Sequence, residues 1–304
     1  MRVAIVALLG VGIVLWCSEA VLGSEVSWTP AHELAPQVIG GSFLAHGDLD
    51  GDGDDDVTSW RDQYWNLGCP GPLSWELEQY FLPDVPGCTE NSVALGDCDA
   101  DGDLDVIFGC FECCSLHMVW NAGTSLEPAW QYGGAISGDP YVSYWAYYRL
   151  ADLDADGDLD LVGTHDPGPG KVCWNTGTAE VPSWSLPEEL AGVDFEANHA
   201  VVALGDLDGD VDLDIVFASS RSRVKCYENT GTAEAYSYVR NDGMLNGVDA
   251  PTDGAWGLAL PDVDCDGDCD LVIVGWYDAV YLYLNDRFTP VESRSWGTIK
   301  ALFR

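Results

Sequence analysis

Short apolar runs alternate with acidic tracts along this chain, and the alternation recurs five times. A small-apolar run such as "VALGD" (Val93 to Asp97) or "VVALGD" (Val201 to Asp206) leads into a tract with Asp at every second residue. A second apolar run follows at once: "VTSW", "VIFG", "LVGT", "IVFA" or "LVIV". Runs of this length, bounded by Gly, Asp and Asn, read as strands, and no segment after the leader shows a 3.6-residue apolar period. The mature chain is therefore expected to be all β.

The acidic tracts begin at Asp48, Asp97, Asp152, Asp206 and Asp262, spaced 49, 55, 54 and 56 residues apart. In phase with them run "YWNLG" at Tyr64, "VWNAGT" at Val119, "CWNTGT" at Cys173 and "YENTGT" at Tyr227. Each is followed by an aromatic stretch such as "LSWELEQYF" or "PAWQYGG". A unit of about 55 residues holds four short strands and their turns. Four-stranded units set around an axis make a propeller, and closing the ring removes exposed sheet edges. Five blades of four antiparallel strands are expected over residues 24–290, with an open solenoid of the same units as the alternative. "VSWTP" at Val26 looks like the aromatic strand that ends a unit, yet it precedes the first loop. It is expected to complete the last sheet.

Within each tract, oxygen ligands at positions 1, 3 and 5, a carbonyl at 7 and a carboxylate at 9 suit a hard cation. Gly at position 6 supplies the positive φ of the sharp turn. An EF-hand is excluded, because its position-12 Glu is Ser59, Phe108, Gly163, Phe217 or Ile273 here. The fourth loop carries Val211 at position 6, where a β-branched residue resists positive φ. Its site is expected to be weaker.

These loops, "DxDxDGxxDL" inside β repeats of about 55 residues with "WNTGT" and an aromatic strand after them, resemble the FG-GAP/VCBS repeat family of calcium-binding, integrin-α-like propeller blades. The resemblance spans nearly all of residues 26–290. It implies one Ca²⁺ per blade, about five in all. The ligands it implies are Asp48, Asp50, Asp52 and Asp56 with the carbonyl of Asp54; Asp97, Asp99, Asp101 and Asp105 with Asp103; and Asp152, Asp154, Asp156 and Asp160 with Asp158. The fourth and fifth sets are Asp206, Asp208, Asp210 and Asp214 with Asp212, and Asp262, Asp264, Asp266 and Asp270 with Asp268.

The 304 residues carry 51 acids against 12 Lys plus Arg, a formal charge of −39. That excludes nucleic acid as a partner, since phosphate binding needs a basic face. The 13 Trp, 13 Tyr and 8 Phe argue equally against a disordered acidic chain. Residues 1–23 read as a signal peptide: Arg2 precedes an apolar run from Val3 to Trp16 that is short for a membrane span. A retained anchor is the alternative. The expected destination is the extracellular space, the cell surface or the periplasm, with no membrane span after cleavage. Ten cysteines then remain, an even number that suits disulfides; Cys265 with Cys269 and Cys69 with Cys88 are near enough in sequence to pair. Residues 291–304 are either a closing strand or an accessory tail, basic where the body is acidic.

Identical loops in every blade read as structural, so function is expected where the repeats differ. Three residues before each loop stand Ala45, Ala94, Ala203 and Ala259, but Arg149 in the third repeat; seven before stand Gly41, Glu90, Trp145, His199 and Ala255. Arg149 with Trp145, Tyr147, Tyr148, Glu90, His199 and Trp256 forms the candidate ligand surface, its Arg149 charge expected to pair with Glu90 or an acidic ligand. Aromatics with a few polar groups suit an extracellular glycan or protein ligand; the alternative is that they only fill a blade interface. No Ser-His-Asp order, HExxH or phosphate loop appears, so a binding or adhesion module is expected. A self-assembling surface protein and a polysaccharide-cleaving enzyme are the alternatives.

Overall fold

The computed structural model describes residues 26–31, 44–59, 62–67, 74–79, 81–82, 90–110, 115–136, 147–164, 169–178, 181–194, 200–219, 222–232, 235–249, 254–275 and 280–285. The leader, the C-terminal tail, Trp145 and His199 lie outside them. Strand β1 (Trp28–Ala31) comes first. Blade 1 follows as β2 (Leu44–Gly47), β3 (Asp56–Ser59), β4 (Asp62–Asn66) and β5 (Trp75–Glu78). Blade 2 is β6 (Glu90–Gly96), β7 (Asp105–Cys110), β8 (Ser115–Asn121) and β9 (Trp130–Ala135); blade 3 is β10 (Tyr148–Ala151), β11 (Asp160–Gly163), β12 (Lys171–Cys173) and β13 (Glu188–Glu189). Blade 4 is β14 (Ala200–Gly205), β15 (Asp214–Ser219), β16 (Ser222–Asn229) and β17 (Tyr238–Arg240). A 3₁₀ turn over Asp242–Leu245 leads to β18 (Ala255–Ala259), β19 (Leu271–Gly275) and β20 (Val280–Asn285).

Each blade is a four-stranded antiparallel sheet, and the fifth is ordered β18, β19, β20, β1. The first strand therefore pairs with the last, Trp28 opposite Asn285 and Ala31 opposite Leu282. Trp28 also donates its indole N–H to the Met244 carbonyl at 2.7 Å. The innermost strands touch in sequence, β2 to β6, β10, β14, β18 and back to β2, so the ring closes and the solenoid alternative is set aside.

The second strand of each blade is buried on both faces. Blade 1 carries buried Thr58 and Ser59 in it, whereas in blades 2 to 5 its sequence is a nearly continuous apolar run after the loop Asp. Phe108 and Phe217 are fully buried there; each contributes roughly 2–3 kcal/mol by burial.

The cysteines correct one expectation. Cys269 is a free thiol, as are Cys98, Cys173 and Cys226, whereas Cys110 and Cys265 are disulfide-bonded; Cys265 and Cys269 do not pair. The free ones stand in apolar columns: Cys98 matches Leu49, Leu153 and Leu207, and Cys269 matches Leu104, Leu159 and Leu213. A buried Cys behaves as a small hydrophobe, so an even count did not mean full pairing. Burial pushes the Cys173 and Cys269 thiols up to about 12.

Candidate functional site

The five acidic tracts curl into closely similar loops because each first Asp caps its own turn. In the second loop, Asp97 accepts the backbone N–H of Asp101 at 3.1 Å and of Gly102 at 3.0 Å; Asp152 does the same for Asp156 and Gly157. The position-5 carboxylate accepts from position 7, as Asp101 does from Asp103 at 3.0 Å. Position 6 has positive φ throughout, 95° at Gly102 and 78° at Val211. Val211 thus adopts the backbone that the sequence marked as costly for it. Position 4 is left-handed as well: Ala100, Ala155 and Cys265 have φ of 57–58°. No sequence signal marked them, since Gly stands there only in loops 1 and 4.

Position 9 ties the loop to its blade. Asp105 accepts the Cys98 N–H at 3.0 Å on one oxygen and the Asn121 N–H at 2.8 Å on the other. The same two bonds recur at Asp56, Asp160, Asp214 and Asp270, always with the Asn of the "WN" motif or its counterpart. The sequence marks that Asn only as a residue bounding a strand. Its side chain also closes the next turn: Asn175 Oδ1 accepts the N–H groups of Gly177 and Ser183. A Cβ on Gly177 would lie 2.3 Å from the Val181 carbonyl oxygen, so the Gly of "NTGT" is needed for close approach.

Three carboxylates per loop bring ligand atoms within 4.8 Å of one another. They are positions 1, 3 and 9 in the first, third and fifth loops, and positions 1, 3 and 5 in the second and fourth. Burial, reinforced by neighbouring carboxylates and opposed by the two N–H bonds, pushes Asp56 and Asp270 up to about 8, Asp105 and Asp214 to about 7 and Asp160 to about 6. Burial and then the Asp266 charge raise Asp264 to about 6. The position-3 Oδ1 atoms of Asp99, Asp154 and Asp264 are buried and accept no hydrogen bond. An acceptor-only oxygen left so, beside other carboxylates, is what a hard cation would satisfy.

Arg149 lies elsewhere, in the column of small residues lining the channel. It is 8% exposed. Its guanidinium donates to the carbonyls of Tyr148 at 2.7 Å, Val93 at 3.3 Å and Leu258 at 2.9 Å, joining the innermost strands of blades 3, 2 and 5. Burial lowers its pKa to about 10. Among the described residues its hydrogen-bond partners are these backbone carbonyls. Tyr147 and Tyr148 are buried in separate core clusters, and Trp256 is half-buried. Glu90 begins β6, its backbone opposite Cys110. Of these aromatics, Tyr147 bears on the Arg149 charge.

The channel mouth holds a cavity of roughly 260 Å³ lined by Ala45, His46, Leu95, Arg149, Leu150 and Leu204. There blade 1 departs from its sisters. His46 and Asp55 stand where blades 2 to 4 carry two leucines and blade 5 carries Leu260 and Cys269. They meet at 3.0 Å, and Asp55 also accepts the Asp262 N–H across the seam to blade 5. Burial works against the Asp55 charge, but the His46 bond and charge outweigh it and hold its pKa below the usual range.

Comparison with known proteins agrees with this architecture. FG-GAP-like repeats match residues 152–217 and 206–273, which span the third to fifth loops. No curated protein matches the chain. Among solved structures it is similar to the Photorhabdus luminescens Tc holotoxin pore (17% identity over 85% of this chain and 14% of that one, TM-score 0.45). It is also similar to an Agrocybe aegerita lectin solved for recognition of non-reducing terminal N-acetylglucosamine (19% identity, 80% of this chain and 63% of that one, TM-score 0.42). A third is TcdB2–TccC3 without its hypervariable C-terminal region (17% identity, 85% and 15%, TM-score 0.41). The chain spans less than two thirds of each of these solved chains. It is a five-bladed β-propeller whose residues 152–273 match FG-GAP-like repeats.

Proposed function

We propose that this chain is a secreted calcium-binding propeller that acts as an extracellular binding or adhesion module, with Ca²⁺ in a structural role. The observation that carries the calcium reading is the fivefold recurrence of clustered carboxylates, with buried position-3 oxygens on Asp99, Asp154 and Asp264 that no donor satisfies. The donor set is all oxygen, which favours a hard cation over zinc or copper. Flexible loops offering several carboxylates and a carbonyl suit Ca²⁺ better than Mg²⁺, which demands a tight octahedron. When bound, the ion supplies neutralising charge. The chain supplies the rest: positions 1 and 5 shape the turn, Asp99, Asp154 and Asp264 at position 3 offer a buried oxygen without a donor, and position 9 anchors the loop to its blade.

Five alike sites point to a scaffold whose ligand surface lies where the blades differ. Export is supported by the leader read at residues 1–23. The test screens calcium-loaded protein against immobilised glycans and extracellular protein fragments, with chelator-treated protein alongside and a sizing column run in parallel. Calcium-dependent retention of a soluble monomer supports the module. Shortening of a polysaccharide, or elution only as large particles, would replace it with an enzyme or a self-assembling protein.

A further inference from the structure

The outer strands expose a difference between blade interfaces. The residue before the "WN" asparagine is Trp65, Trp120 and Trp174 in blades 1, 2 and 3. Trp65 is met edge-on by Phe81, centroids 4.8 Å apart at 82°, and Phe81 in turn meets Trp130 of blade 2 at 5.9 Å. Trp174 is stacked by Tyr236 of blade 4 at 6.0 Å and 26°. Trp120 has no ring partner among the described residues. The position that Tyr236 fills in blade 4, two before the aromatic strand residue Tyr238, is Pro182 in blade 3, two before Trp184.

What remains between blades 2 and 3 is a groove of roughly 230 Å³ lined chiefly by Met118, Trp120, Ile136, Pro182 and Trp184. Two glycines of β9 also line it. Gly133 is the extra residue where the β8–β9 register shifts, so its backbone stands outside the ladder. A Cβ there would lie 2.4 Å from Trp120 Nε1, so only Gly lets the indole lie against the strand. Gly134, at φ 99°, has no atom within 4 Å of its Cβ position. β9 is also the outermost strand of its blade, with a free edge beside the groove.

We propose that this groove takes an aromatic side chain from an extended, basic segment of a partner protein, laid along β9. The proposal rests on the binding-module reading and names its partner. The repeat itself points to which group fits, because the neighbouring interfaces set Phe81 or Tyr236 against the tryptophan of the same column. An aromatic ring supplies matching area and geometry for an indole face. The edge strand offers main-chain pairing to an extended segment. The −39 formal charge selects a basic sequence.

The test uses a fluorescent peptide of alternating Lys and Tyr, and the same peptide with Ala for Tyr, titrated into calcium-loaded protein and read by anisotropy. The Tyr peptide is expected to bind about tenfold or more tightly than the Ala peptide. Pro182→Tyr, which fills the groove from within as blade 4 does, should abolish that preference without lowering the melting temperature. Trp120→Ala should abolish it too, but with a lower melting temperature because the indole packs on the core. A preference that survives Pro182→Tyr overturns the proposal. So does equal binding of both peptides, or a groove that takes methyl glycosides and not the Tyr peptide. A groove that fails while the melt still responds to calcium leaves the scaffold reading standing, which separates the two failures.

Discussion

Two regions of the propeller confine charge in opposite ways. In the loops, carboxylates crowd together five times over, and buried oxygens on Asp99, Asp154 and Asp264 are left without donors. In the channel, a single guanidinium, Arg149, is buried and meets three carbonyls on three blades. The first arrangement crowds like charges and leaves those oxygens without donors. The second is largely satisfied by backbone dipoles. The contrast teaches that a repeated charge in this ring reads as ligand chemistry, whereas a charge that breaks the repeat once reads as a strut.

The sharpest way to break that contrast is Arg149→Ala. Removing a charged donor from three buried carbonyls should cost about 2–3 kcal/mol, read by urea unfolding. An Arg149 that serves only a ligand would leave stability unchanged. Arg149→Lys should recover only part of the loss, since an ammonium cannot span three strands with a planar fork.

The loops respond to pH with a sign that depends on the ion. Asp56 and Asp270 have folded pKa values raised to about 8 from an ordinary 3.8. Without cation, their stabilising contribution is full below about pH 4 and is lost as pH rises through about 8. In chelator the melting temperature should therefore rise as pH falls from 8 to 6. In calcium the trend should reverse over the same window, because protons then compete with the ion. Parallel curves in the two buffers would contradict the site.

The smallest effect expected is at Val211. Its φ of 78° is strained for a β-branched residue that is 81% exposed and packs against little. Val211→Gly should stabilise the protein by about 1 kcal/mol and tighten the fourth loop toward its sisters. A neutral result would show that the loop tolerates the valine.

Much of this was legible in the sequence because the repeat aligned it. Five loops in phase, the paired strands after them and the displaced "VSWTP" strand led to the ring and its closure through β1 and β20. Position 9 was legible as a carboxylate, but its two N–H bonds were not, since one donor lies 15 or so residues away on the third strand. The left-handed Ala100 and Ala155 were hidden because Ala carries no turn signal of its own. Arg149 was legible as a departure, but its bridging bonds were not, because sequence spacing cannot show that the Leu258 carbonyl lies within 2.9 Å. The free cysteines were missed for the same reason: parity says nothing about which columns are core.

The central claim is that these loops are cation sites, and counting ions tests it most directly. Protein stripped with chelator and returned to calcium should be followed by native mass spectrometry beside a thermal melt. About five Ca²⁺ should bind, the fourth loop filling last, with the melting temperature rising as they do and Mg²⁺ substituting poorly. No bound ion and an unchanged melt at millimolar calcium would contradict the account.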